Sequence, residues 1–226
     1  MGIHDGHRSR MKNRFLEHGL DNFDDHNVLE LLLFYALPRR DLNPLAHALL
    51  ERFGSLSGVL EAPIEDLKRV PGIGENAAIL LKLIPQVSRR YMMSKNSGCD
   101  ILDSVTKAGQ YLLPLFMYER DEVVYMICLD AKRKVICCRE LSRGVVNTAE
   151  ISVRKIVEIA LSNNATSVII SHNHTSGIAL PSYEDEMTTL QIKAALEMVG
   201  IALADHIIVA GDDYVSLAES GLLETR

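Results

Sequence analysis

The chain has 226 residues, 47% hydrophobic and 24% charged, which is the balance of a globular protein with one large or two small domains. No apolar run reaches the roughly 20 residues that cross a bilayer, and the polar N-terminus, with His4, His7 and Arg8, does not read as a secretory signal. A cytoplasmic protein without a membrane partner is therefore expected. Charge is unevenly spread: residues 1–95 hold 13 Lys and Arg against 12 Asp and Glu, while residues 96–226 hold 11 against 18. The net charge of −6 excludes a bulk polyanion binder and leaves the N-terminal part better suited to any nucleic-acid contact. Cys99, Cys128, Cys137 and Cys138 show no C-x-x-C spacing, so reduced thiols are expected rather than a disulfide framework or a four-cysteine zinc knot.

Residues 1–24 read as a polar N-terminal segment, a loose start followed by a short helix. Val28, Leu31, Leu32 and Tyr35 recur at helical spacing between Asp25 and Leu37, and Pro38 ends that helix. Asn43-Pro44 opens a second helix, which Gly54 stops. Short helices follow over Ser57–Leu60 and Pro63–Val70, then a tight turn at Pro71-Gly-Ile-Gly74. A longer helix is expected over Glu75–Tyr91, kinked or broken at Pro85. Residues 25–95 thus form an all-helical domain, and Met92–Cys99 reads as a linker. From Ile101 the texture changes. A helix is expected over Asp103–Phe116, then strands over Val123–Leu129 and Lys134–Glu140 joined by a turn at Asp130–Arg133. Gly144–Thr148 reads as loop or short strand and Ser152–Ser162 as a helix. A buried strand over Ser167–Ser171 precedes a helix over Tyr183–Val199 and strands over Asp205–Ala210 and Tyr214–Leu217. Residues 101–226 therefore form a second, α/β domain, a mixed sheet with flanking helices.

The sharpest feature is Ser171-His-Asn-His-Thr-Ser-Gly177, fed directly by the buried strand and followed by Pro181-Ser-Tyr-Glu-Asp185. Residues two apart on an extended chain point the same way, so His172 and His174 can aim both imidazoles at one point. Gly177 and Pro181 let the chain turn back and bring Asp185 to the same place. Two histidines, a carboxylate and an open fourth position make the donor set of a catalytic zinc site; other metals that accept nitrogen and oxygen suit the same set. Ser182-x-x-Asp185 also has capping-box spacing, and a carboxylate is favoured in the first turn of a helix. The two roles are compatible, because a helix start would fix the carboxylate stiffly.

Several pieces together resemble one family. Glu51-Arg-Phe-Gly-Ser-Leu56, Pro71-Gly-Ile-Gly74, Glu122-Val-Val-Tyr-Met-Ile-Cys-Leu-Asp130, His172-Asn-His-Thr-Ser-Gly177, Pro181-Ser-x-x-Asp185 and Asp205-His-Ile-Ile-Val209 are similar, in order and spacing, to RadC-like proteins. These combine a helical segment bearing a helix-hairpin-helix signal with a JAB1/MPN-type (JAMM) metallopeptidase-like domain of cytidine-deaminase-like fold. The likeness covers almost all of residues 25–226. It implies His172, His174 and Asp185 as ligands of one Zn2+ per chain. It also implies Glu122 as the general base for the metal-bound water, a choice that spacing alone would not make over Glu119, and Ser182 as a hydroxyl whose free proton steadies an oxyanion. A zinc hydrolase cutting an amide (peptide or isopeptide) bond of a peptide or protein substrate follows. Thr175 stands where the family usually has Pro, Ile178 where it has Asp, and Ile151-Ser-Val-Arg154 lacks the expected His-Pro; none of these removes a ligand. His206 is expected to pack or hydrogen-bond near the sheet rather than join the metal.

The helical half supports the alternative. Gly72 and Gly74 before a helix start can present backbone N–H groups to a phosphate oxygen, with Lys68 and Lys82 nearby. Such contact with DNA would be non-specific in sequence and salt-dependent. The resemblance associates this arrangement with DNA repair, the metal domain then being auxiliary.

Overall fold

The structure, a computed structural model, describes residues 3–38, 40–96, 101–144 and 152–223. Cys99, the end of the expected linker, the Gly144–Thr148 stretch beyond Gly144, and Ile151 lie outside the described residues. The chain divides into two compact units, Met1–Arg90 and Tyr91–Arg226.

The first unit is helical: α1 (Ile3–His18), α2 (Asp25–Ala36), α3 (Asn43–Phe53), α4 (Leu56–Glu61), α5 (Ile64–Lys68) and the start of α6 (Glu75–Asn96). Leu29 and Leu33 of α2, Leu49 of α3, Val59 of α4, Leu67 of α5 and Ala77 and Leu81 of α6 are fully buried together. Two elements differ from the sequence reading. The N-terminal helix is 16 residues long rather than short. Its hold on the core is largely polar, so apolar periodicity could not signal it. Met11 is its one core residue among those described. The Arg8 guanidinium donates to the carbonyls of Leu37 and Arg40 at 2.9 and 2.7 Å, and His7 meets the buried Glu30 carboxylate at 2.9 Å. Pro85 does not break its helix, since α6 runs for 22 residues through it. The ring removes one helical hydrogen bond, at a cost of about 3 kcal/mol, but Pro85 is buried, so packing offsets the loss.

The second unit is a five-stranded sheet in the order β2-β1-β3-β4-β5, with β1 (Val123–Leu129), β2 (Val135–Arg143), β3 (Ser167–Asn173), β4 (Ala202–Ala210) and β5 (Asp213–Ser216). Only β3 and β4 run parallel, joined through α9 (Tyr183–Glu197). Helices α8 (Val153–Ser162) and α9 cover one face, where Met126, Cys128, Val168, Ile170, Ile156 and Ile192 pack. Helix α7 (Val105–Phe116) covers the other, against Ile127, Ile169, Ile207 and Val209. Gly109 of α7 lies under the ring of Tyr214, where a Cβ has no room. Strand β3, with covered strands on both sides, is buried along nearly its whole length, as its apolar run predicts.

One irregularity matters for the site. Val168 pairs with Leu203 but Ile169 with Asp205, so Ala204 is an extra residue in β4. Such a bulge reverses which side chains face which way beyond it. It turns His206, instead of Asp205, toward α9. Asp205 goes to the α7 side and is held by the Ser216 hydroxyl at 2.7 Å and the Ala218 N–H at 3.0 Å.

The three described cysteines are free thiols. Cys128 and Cys137 are cross-strand partners on β1 and β2. Burial pushes the Cys128 thiol up to about 12 and the Cys138 thiol up to about 11.

Candidate metal centre

The cluster forms where β3 ends. His172 is the last β3 residue paired across β1, opposite Val124, and it also lies beside Ile208 of β4. It is held on both sides and is 1% exposed. His174 follows on the same face, its N–H donating to the Val209 carbonyl at 2.8 Å. The chain then turns through Thr175–Gly177, with Gly177 in the left-handed region at φ 81°, where glycine carries no penalty. Ser182 caps α9 in a full capping box: its hydroxyl accepts from the Asp185 N–H at 3.1 Å, and the Asp185 carboxylate accepts from the Ser182 N–H at 2.9 Å. The cap fixes Asp185 in the first turn, facing the histidines.

The inner atoms converge. His172 Nε2 and His174 Nε2 are 3.0 Å apart, His172 Nε2 is 3.2 Å from Asp185 Oδ1, and His174 Nε2 is 3.3 Å from Asp185 Oδ2. A tetrahedral ion at about 2.0–2.1 Å from its ligands has edges of about 3.3 Å. His172, His174 and Asp185 form a group that could hold a metal ion.

The outer ring atoms fix the tautomers that a metal requires. His174 Nδ1 lies 3.1 Å from the Ile178 carbonyl. A carbonyl only accepts, so Nδ1 carries the proton and Nε2 presents a lone pair. His172 Nδ1 lies 2.9 Å from Nε2 of His206. His206 is fully buried, and that burial, with His172 beside it, pushes it down to about 3, so it is neutral. The Thr189 hydroxyl spends its proton on the Asp185 carbonyl and accepts from His206 Nδ1. His206 Nε2 is then an acceptor, His172 Nδ1 the donor, and His172 Nε2 a second inward lone pair. Two lone pairs and a carboxylate this close repel one another unless a cation lies among them. Hydrogen bonding to Asp185 raises His174 from its ordinary value. Burial pushes the Asp185 carboxyl up, but its bonds to His172, His174 and Ser182 outweigh this and hold it well below the usual carboxylate range.

His206 thus orients a candidate ligand and is not one of the three converging residues. Thr189 was missed from sequence, although it stands one helical turn after Asp185 and so shares its face. Partners of this kind are typically worth about 10–100-fold in metal affinity. Thr189→Val should weaken zinc binding by about that factor without abolishing it, measured by competition with a chelator of known affinity.

Glu122 stands just before β1. Extending the β1–β3 register by two pairs puts it opposite His174 on the same face, and its charge contributes to the raised His174. Glu119 is engaged elsewhere, in an ion pair with Arg143. The Ser182 hydroxyl departs from expectation: its proton is not free but donates to Asp185 Oδ2 at 2.7 Å, because the cap draws the two groups together.

Among the helical-half candidates, both lysines are engaged within the protein. Gly72 has φ 102° in the turn before α6, and Gly74 has nothing within 4 Å of a Cβ position. Lys82 donates to the Leu60 and Glu61 carbonyls at 3.1 and 3.0 Å, closing the end of α4. Lys68 pairs with Glu65 at 3.2 Å.

Among the described residues, no helix is long and apolar enough to cross a membrane. Residues 102–222 match the family model described as the RadC-like JAB domain. The chain is 33% identical over 225 residues to the UPF0758 protein FN0909 of Fusobacterium nucleatum subsp. nucleatum, covering 96% of this chain and 97% of that protein. Together with the two-part architecture and the His172–His174–Asp185 cluster, the match over more than half of the chain makes this protein a member of the RadC-like JAB-domain family.

Proposed function

We propose that the protein is a zinc-dependent hydrolase that cuts an amide bond, peptide or isopeptide, in a peptide or protein substrate. The observation that carries this reading is the meeting of two inward imidazole lone pairs and one carboxylate at 3.0–3.3 Å, with a glutamate on the same face. Zinc held by His172, His174 and Asp185 would supply Lewis acidity and lower the pKa of a water molecule to about 7. Glu122 takes the proton from the attacking water and returns it to the leaving amine nitrogen. His206 and Thr189 keep His172 in the ligating tautomer. Ser182 holds Asp185 through its hydroxyl and its N–H; it serves an oxyanion only if the hydroxyl turns away from Asp185. The test is hydrolysis of a peptide library by zinc-loaded protein, set against the same protein carrying Glu122→Gln.

A second reading has equal support from the family: a DNA-associated protein, related to repair, that touches DNA through a helix-hairpin-helix formed by α5, the Gly72–Gly74 turn and α6, with the metal domain auxiliary. The open backbone at Gly74 favours it. The engagement of Lys68 and Lys82 within the protein leaves less charge for phosphate. On this reading, affinity for a branched duplex falls steeply between low and moderate salt, and Gly72→Val lowers it. Binding without salt dependence, or indifference to the turn, removes the reading.

A further inference from the structure

We infer that Asn173 is a positioning residue for Glu122, gripping the backbone on both sides of it. The inference rests on the hydrolase reading, in which Glu122 is the base. Asn173 is the middle residue of the H-x-H segment, so its side chain points to the opposite face of β3 from the two histidines and has no part in the ligand cluster. It is polar yet 6% exposed, and both ends of its amide are used. Oδ1 accepts from the Val123 N–H at 2.7 Å, and Nδ2 donates to the Asp121 carbonyl at 3.0 Å. The Asp121 carbonyl belongs to the peptide group before Glu122, and the Val123 N–H to the one after it. A single amide therefore holds both peptide planes that meet at the Glu122 Cα.

The sheet cannot do this. Pairing between β1 and β3 ends with Val124 opposite His172, while β3 goes on pairing with β4 through Asn173. The Asn173 side chain stands in for the missing backbone ladder for one more residue. On the other side, the Glu122 carbonyl accepts from the Gly144 N–H at 2.8 Å. Glu122 is thus tied from both neighbours, and only its own side-chain torsions remain free. Neither histidine's role as a ligand demands an amide between them; a buried amide with both ends bonded to the residues flanking a glutamate does serve that glutamate.

The test uses cobalt-loaded protein, because the visible bands of cobalt respond to the hydrogen bonding and geometry at its open coordination position. Wild type, Asn173→Ala, Glu122→Gln and the double variant are compared for cobalt affinity, spectrum and melting temperature. Expected are affinities within about 3-fold of wild type, since no ligand or direct ligand partner changes. Glu122→Gln shifts the bands, Asn173→Ala reproduces that shift, and the double variant adds nothing, the signature of two residues acting as one unit. A wild-type spectrum in Asn173→Ala beside a shifted one in Glu122→Gln overturns the inference and leaves the hydrolase reading intact. An unshifted spectrum in Glu122→Gln removes Glu122 from the centre and the inference with it. No cobalt uptake by wild type overturns the metal reading itself. Should Asn173→Ala fail to fold, Asn173→Asp keeps the acceptor for Val123 and loses only the donor to Asp121; a partial shift supports the inference and a wild-type spectrum overturns it.

Discussion

His174→Ala is expected to purify without zinc, where the unaltered chain carries about one ion per molecule. The two remaining donors, His172 Nε2 and the Asp185 carboxylate, cannot enclose an ion, and affinity should fall by more than the roughly 10–100-fold that loss of an outer partner costs. His174 is the cleanest of the three to remove. It is the most exposed of them and its outer nitrogen holds only the Ile178 carbonyl. Asp185→Ala would also break the capping box of α9, at a cost of about 1 kcal/mol, and His172→Ala would strand the buried His206. Elemental analysis of both His174→Ala and Asp185→Ala, before and after zinc is supplied, makes the measurement. Undiminished zinc in His174→Ala would mean that the ion sits elsewhere; no zinc in wild type even after supply would mean that the cluster is not a working centre.

The second large effect belongs to Glu122→Gln. The amide has the shape of the carboxylate and keeps the backbone bonds around it, so zinc content should not change. It cannot take a proton, so hydrolysis should drop by about 10²- to 10⁴-fold, the range for a positioned acid–base group. Glu119→Gln is the matched control. Its carboxylate is committed to Arg143, and hydrolysis should stay at the wild-type rate while stability falls slightly. Full hydrolysis in a zinc-loaded Glu122→Gln protein would end the assignment of Glu122 as base.

What the sequence made readable follows from the range of each signal. Alternation on an extended strand put His172 and His174 on one side, and S-x-x-D put Asp185 at a helix start; both are local regularities, and both stand in the structure. The strands of the sheet were legible for the same reason, as apolar runs bounded by turns. That His206 hydrogen-bonds rather than joins the cluster was also expected, but its partners were not, because they depend on one extra residue in β4. Without the bulge at Ala204, Asp205 would face α9 instead. Whether the Ser182 proton is free depends on which carboxylate oxygen lies nearest, which no spacing encodes. The length of α1 and the continuity of α6 through Pro85 were hidden because burial and polar tertiary contacts, not periodicity, sustain them. Glu122 came only from family likeness; its charge is felt at His174, whereas Glu119 is paired with Arg143.

The thiols described earlier stand apart from this chemistry, and that separation has a consequence for how the protein meets oxidants. The converging donors are nitrogen and oxygen, so peroxide or a disulfide exchanger finds no thiolate ligand to strip from the ion. Cys128 and Cys138 are held protonated far above neutral pH by burial, and a protonated thiol is a poor nucleophile and a slow oxidation target. A metal held by these nitrogen and oxygen donors would stay bound in surroundings that empty a cysteine-ligated zinc site, and thiol-directed reagents would not strip it.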